Sequence, residues 1–252
     1  MNMIKFFRRF RQRLLSENLP SGQAGKFSKY LLYAIGEIVL VVFGILIALS
    51  LNNWNQNITF KNELKQIIKE VHSDLNQDLF YINEEISNIK IFNNNIDNIL
   101  YNGNKMSTDS LLNAITKVHS VTSFVPVNFG YNKLNKHSRT DILSDSLLNN
   151  LSIYYSKFSN QMNDTSFEGL SLYSLNLFRD YLIKYGFPLN NRNLESPKDL
   201  STLNYIINDI EFIGILRNNK YNRSVQLSGF IEARKQVENS LEMINEYLTY
   251  NH

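Results

Sequence analysis

The side chains that could carry chemistry are few and scattered. Asp74 and Asp78 stand four residues apart, as do Glu238 and Glu242, so each pair shares one face of a helix. Two carboxyls at that spacing suit proton transfer, one acting as acid and the other as base. The same spacing is the ordinary pattern of a solvated helix face, and no neighbouring residue marks either pair as special, so solvated faces are expected at both. The four histidines (His72, His119, His137, His252) include no two at a spacing of three or four, so no metal is expected. With no cysteine, disulfides, thiolate metal sites and a catalytic thiol are excluded. A phosphate-binding glycine loop, His-Glu-x-x-His, Gly-x-Ser-x-Gly and a calcium loop are all absent. No cofactor and no enzymatic activity are expected.

One more carboxyl, Glu37, sits in an unusual place. It is the single ionisable side chain in YLLYAIGEIVLVVFGILIALSL, Tyr30 to Leu51. Those 22 residues make a helix of about 33 Å at 1.5 Å per residue, enough to cross a bilayer core of about 30 Å. The stretch is longer than the apolar region of a cleaved signal peptide. Residues 1–29 hold seven basic residues against Glu17, whereas residues 52–252 hold 19 basic and 21 acidic ones. A basic flank before the span keeps the N-terminus in the cytoplasm. The expected order is a cytoplasmic segment over 1–29, a transmembrane helix over 30–51 and an extracytoplasmic domain over 52–252. The expected location is a bacterial inner membrane crossed once.

Within the span, steps of three and four place Ala34, Glu37, Val41, Gly44 and Ala48 on one face. A charge near the centre of a bilayer costs about 2.5–3.5 kcal/mol on insertion scales, which favours the neutral, hydrogen-bonding acid. Gly44 and Ala48 allow another helix to approach closely. That face is expected to be a helix–helix interface, with a second copy of the chain ahead of another envelope protein. The competing reading has Glu37 reaching the inner headgroups, with the small residues incidental.

Met1 to Leu15 interleaves Ile4, Phe6, Phe7, Phe10, Leu14 and Leu15 with Lys5, Arg8, Arg9, Arg11 and Arg13. Such a helix lies on an anionic leaflet, its aromatics at the headgroup boundary. The same composition suits nucleic acid, but beside a membrane span the lipid bilayer is the expected partner, and no nucleic acid is. Pro20, Gly22 and Gly25 break the helix before the span.

The run KFSKYLLYAIGEIVLVVFGILIALSLNNWN, Lys26 to Asn55, with IKFFRRFRQRLLSEN before it, is similar to the signature of an uncharacterised family of bacterial single-span membrane proteins, domain of unknown function 6090. The Tyr-Ala-Ile-Gly-Glu run within the span and the Asn-Asn-Trp-Asn run at its exit carry the likeness. The resemblance implies a topology, with a variable helical domain beyond the span, and brings no reaction, cofactor or catalytic residue.

Beyond the span the composition is helical. Ten glycines and four prolines are few for 252 residues, and the 36 asparagines prefer caps and exposed faces. Asn52 to Tyr101 contains neither glycine nor proline, and Leu64, Ile68, Val71, Leu75, Leu79, Ile82, Ile86, Ile89, Ile96 and Leu100 recur at three and four, with Asn93 in one polar slot. One long stalk helix over 60–101 is expected, closed by Gly103 as a left-handed cap. Thr108-Asp109 caps a helix over 111–119, and Thr140 or Ser144 opens one running to about Met162. Thr165 to Glu168 forms a capping box, Gly186-Phe187-Pro188 a stop, and Ser196-Pro197 another start. Val121 to Arg139 reads as irregular, with Phe124, Phe129 and Tyr131 tucked into the bundle. The last helix, about 222–250, carries Leu227, Phe230, Ile231, Val237, Leu241, Ile244 and Leu248 on one face and runs antiparallel along the first. The fold class is therefore all-α: a single transmembrane helix followed by an extramembrane helical bundle with a coiled-coil-like stalk.

Two functional readings follow, ahead of a weaker third, an envelope enzyme. In one the chain is a membrane-anchored structural or interaction protein of the cell envelope. In the other Glu37 makes it an ion-coupled or sensory membrane subunit. The first needs only a stalk and a binding surface; the second also needs a partner to complete a proton path.

Overall fold

The computed structural model describes residues 23–118, 124–158, 167–190, 193–194 and 200–250. Among them helices dominate, joined by one pair of two-residue strands. The chain divides into two units, residues 1–62 and residues 63–252. Helix α1 (Gln23–Asn102) is 80 residues long and begins in the first unit. The expected apolar span and the expected stalk are thus one uninterrupted helical stretch. The reason is local: nothing between Tyr30 and Asn102 interrupts the hydrogen-bond ladder, since Gly36 and Gly44 lack only a side chain and proline is absent.

In the first unit, every described side chain from Tyr30 to Thr59 is exposed. The chain has one helix, among the described residues, long and apolar enough to cross a membrane, and no side chain of its apolar part is covered by another element.

In the second unit, α1 buries Leu64, Ile68, Val71, Leu75, Asp78, Ile82, Ile86, Ile89, Phe92, Ile96 and Ile99, again at steps of three and four. Three slots differ from the expected stripe. Asp78, Phe92 and Ile99 take the inner positions, while Leu79, Asn93 and Leu100 stand beside them half-buried. The stripe is as wide as it is because two sets of helices pack on it, so adjacent positions compete and neighbours in the fold choose between them.

After a 3₁₀ turn (Gly103–Lys105) comes α2 (Thr108–Lys117), capped by Ser107, whose hydroxyl accepts from the Ser110 N–H at 3.3 Å. Gly103 is not the left-handed cap expected of it. It is buried in a right-handed turn against Ile207, and positive φ falls at Gly186 instead. The segment expected to be irregular holds a two-turn helix, α3 (Phe129–Lys136). Helix α4 (Asp145–Ile153) starts at Ser144, which accepts from the Leu147 N–H, and widens into a π turn at Tyr154–Phe158. Helix α5 (Phe167–Lys184) ends where Gly186 N–H meets Ile183 O and Phe187 N–H meets Leu182 O, the two bonds of a Schellman closure. Strands β1 (Leu189–Asn190) and β2 (Asn193–Leu194) pair antiparallel. After a 3₁₀ turn and short α6 (Leu203–Ile206) comes α7 (Ile210–Tyr250), which starts twelve residues before the expected boundary. Asn219 and Asn222 look like helix-breaking residues in the sequence, yet they are held inside the bundle. The capping box at 165–168 begins, and the Ser196-Pro197 start lies, outside the described residues.

Helix α7 runs antiparallel to α1 as expected: Asp97 pairs with Lys220 and Asn93 with Ser224, while Leu64 to Ile89 share a core with Phe230 to Ile244. Ile231, expected inside, is exposed. The core has two parts. One joins Leu64–Ile89 to α4, the π turn and the C-terminal half of α7. The other joins Phe92–Ile99 to α2, the end of α5, α6 and the start of α7. Between them α7 buries Asn219, Asn222, Arg223 and Gln226. Asn222 donates to Ser174 Oγ at 2.5 Å, and Arg223 donates to Gln226 Oε1 while its guanidinium lies 4.7 Å from the centre of the Phe92 ring.

Candidate functional site

Asp74 and Asp78 do not form a solvated face, and this corrects the expectation. Asp78 is 0% exposed and occupies a core slot of α1. Its Oδ1 accepts the Val127 N–H at 2.9 Å, and its Oδ2 accepts the Tyr154 hydroxyl at 2.8 Å. One turn earlier, Asp74 Oδ2 accepts the Gly130 N–H at 2.7 Å. The two carboxyls thus hold one segment, 127–130, by two of its backbone amides. These amides have nothing to bond within the segment: Val127 lies outside any helix or strand and Gly130 in the first turn of α3, where helical partners are missing.

The segment can come this close only because residue 130 is glycine. A Cβ placed there would stand 2.5 Å from the Val71 backbone nitrogen and 2.8 Å from the Glu70 carbonyl carbon. Around the carboxyls, Tyr131 stacks on Tyr155 with ring centres 4.2 Å apart, and Tyr154 meets Tyr155 edge to face. The π turn brings both tyrosines inward although they are adjacent in sequence. Phe124 packs edge-on to Phe230, Tyr131 is half-buried, and Phe129, expected inside, is 74% exposed.

Burial dominates the electrostatics. It pushes the Asp78 carboxyl up to about 6, against the lowering effect of the Val127 and Tyr154 hydrogen bonds. Burial also raises Asp74, with the Gly130 N–H opposing it. Both tyrosine hydroxyls are raised, by burial first and by the nearby carboxylate second. Among the described residues the cation that bears on the pair, Lys133, is engaged with Glu70 at 2.6 Å. A group so arranged can store or release a proton, but among the described residues no three potential ligands gather to hold a metal.

Glu238 and Glu242 are exposed on α7, as expected, along an open acidic groove that also includes Glu246. His72 contacts Asn76, and His137 Nε2 stands 3.9 Å from Glu63 Oε2. His119 and His252, and the basic set Lys5, Arg8, Arg9, Arg11 and Arg13, lie outside the described residues. Ala34, Glu37, Val41, Gly44 and Ala48 are all exposed on α1, and a Cβ at Gly44 would meet nothing within 4 Å. The residues that spacing alone did not reveal are Gly130, Val127, Tyr154 and Tyr155. Only Gly130 left a trace, as a glycine in a glycine-poor chain.

Residues 37–100, about a quarter of the chain, match a family described as a family of unknown function, DUF6090. The matched region begins at Glu37 and takes in Val41, Gly44, Ala48, Asp74 and Asp78, so it reaches well beyond the apolar run that carried the resemblance. No curated protein and no solved structure matches the chain.

Proposed function

We propose that this chain is a membrane-anchored structural or interaction protein of a bacterial cell envelope, without catalytic activity. One observation carries the reading: the apolar part of α1 exposes every side chain, which only lipid or another protein can cover at acceptable cost. The charge step from residues 1–29 to residues 52–252 supports a cytoplasmic Met1 to Lys29 and an Asn52 to His252 beyond the inner membrane. Lys5, Arg8, Arg9, Arg11 and Arg13 attach to the anionic leaflet. The face of Ala34, Glu37, Val41, Gly44 and Ala48 joins a second copy of the chain, the small residues giving close approach and Glu37 a hydrogen bond across it. Another envelope protein on that face is the alternative occupant.

The native chain has no cysteine, so introduced cysteines report alone. A cysteine at Asn104 should react with an impermeant maleimide in intact cells; reaction only after the inner face is opened would reverse the orientation. Single cysteines at Ala34, Val41 and Ala48 should cross-link between copies, and those at Val39, Val42 and Leu49 should not. Equal cross-linking from both sets, or from neither, would remove the face from any role in assembly. Gly44→Ile should abolish the cross-links by bulk, and Glu37→Gln should keep them.

A further inference from the structure

Asp78 is a fully buried carboxyl in the middle of an apolar stripe, and among the described residues no cation pairs with it. A buried ion without an opposite charge is among the costliest groups a fold can hold, whereas the neutral acid at the same place is cheap. The same carboxyl holds a segment from elsewhere in the chain: 127–130 is fixed to α1 through Asp78 and Asp74, and its close contact with Glu70 and Val71 depends on Gly130. We propose that Asp78, supported by Asp74, makes the docking of residues 124–136 on α1 responsive to acidity, as a latch that a proton closes.

The direction follows from the two states. In the docked state Asp78 is buried and its carboxyl titrates at about 6; with the segment away, water reaches it and it returns to the usual carboxylate range. The docked state therefore binds the proton more tightly, and acidification favours docking. At neutral pH the ionised carboxylate weakens the contact that its hydrogen bonds create. When neutral, its carbonyl oxygen still accepts from Val127, and its own O–H can donate to the Tyr154 oxygen.

Other groups face the same place. On α1, Asp74 raises Asp78, and Glu70 raises Asp74. From the docked segment come Lys133, paired with Glu70, and Tyr131; after α4 come Tyr154 and Tyr155. From α7 the same cluster receives Phe230, Ala233 and Val237, all apolar. At the end of α3, His137 Nε2 faces Glu63 Oε2 across 3.9 Å, a separate contact between this part of the chain and α1. A test must separate the two.

Amide hydrogen exchange of the full chain in detergent, corrected for the intrinsic pH dependence of exchange, reads the docking directly. Protection over 124–136 should rise about tenfold from pH 7.5 to pH 5, the change given by one carboxyl held at about 6 when docked. His137→Asn should leave that rise in place. Asp78→Asn, whose amide can make both bonds without charge, should be protected at pH 7.5 as the native chain is at pH 5, with no further rise. Equal protection of the native chain at both pH values would overturn the latch. So would loss of the rise in His137→Asn, or its survival in Asp78→Asn. If Asp78→Asn does not fold, the native chain and His137→Asn decide by themselves.

Discussion

Gly130 lies against Val71 so closely that a methyl group at residue 130 would stand 2.5 Å from the Val71 nitrogen. The obstacle is helix backbone, which cannot turn aside as a side chain end would. Gly130→Ala should therefore cost about 1–3 kcal/mol, in the range of an overpacked core. Urea unfolding of the full chain in detergent measures it. A loss under about 0.5 kcal/mol would mean that the segment does not press on α1.

Tyr154 donates to Asp78 in the interior, and Tyr154→Phe removes that bond while keeping the ring. The carboxylate loses one of its two donors, so the substitution should cost about 1–3 kcal/mol at pH 7.5. The sign of the pH effect follows from a carboxyl already above its ordinary range. Its ionised form, present above about pH 6, is the form the hydroxyl stabilises, so the penalty should shrink at pH 5. Unfolding at the two pH values tests this, and a penalty that grew on acidification would contradict it.

Ile82 is wholly buried one turn after Asp78. A second acid there would lack the amides that Asp78 accepts from, and Ile82→Asp should cost on the order of 3 kcal/mol or more. Circular dichroism should show lost cooperativity or lost helix. Tolerance of the change would place α1 differently in the bundle.

Two glycines should respond in opposite ways. Gly186 has φ +84° with open space around it, so Gly186→Ala should cost about 1 kcal/mol through the backbone alone. Gly103 has no such φ, and a methyl there would meet Ile207 Cδ1 at an ordinary 3.5 Å. Gly103→Ala should be neutral or slightly stabilising, because it restricts the unfolded chain. Thermal melts of both variants compare them directly.

The periodic parts of the fold were legible before any coordinates. The α1 stripe, the α7 stripe from Phe230 to Ile244, the start of α4 at Ser144 and the stop at Gly186 all follow from local rules that operate within a few residues. The carboxyl site was not. Whether Asp78 meets solvent depends on a segment about fifty residues later, and nothing in the spacing of Asp74 and Asp78 records that segment. Phe129 misled in the same way: its type favours burial, but the amide bonds and glycine contact of its neighbours orient it outward. Boundaries were least legible where polar residues are buried, since Asn222 reads as surface until Ser174 of α5 is placed opposite it.

That polar layer has a consequence for alignment. Two long antiparallel helices with apolar residues at every third and fourth position present nearly the same face at each turn, so they could slide past one another and still look well packed. Arg223 against Phe92, with Gln226 as its acceptor, works as a key in that repeating track. Moved one turn either way, about 5.4 Å, the guanidinium would carry Gln226 with it but leave the Phe92 ring and enter one of the two apolar clusters. The pairing of α7 with α1 is thus set in a single position by its least hydrophobic stretch, while the rows on either side supply adhesion with little sense of place.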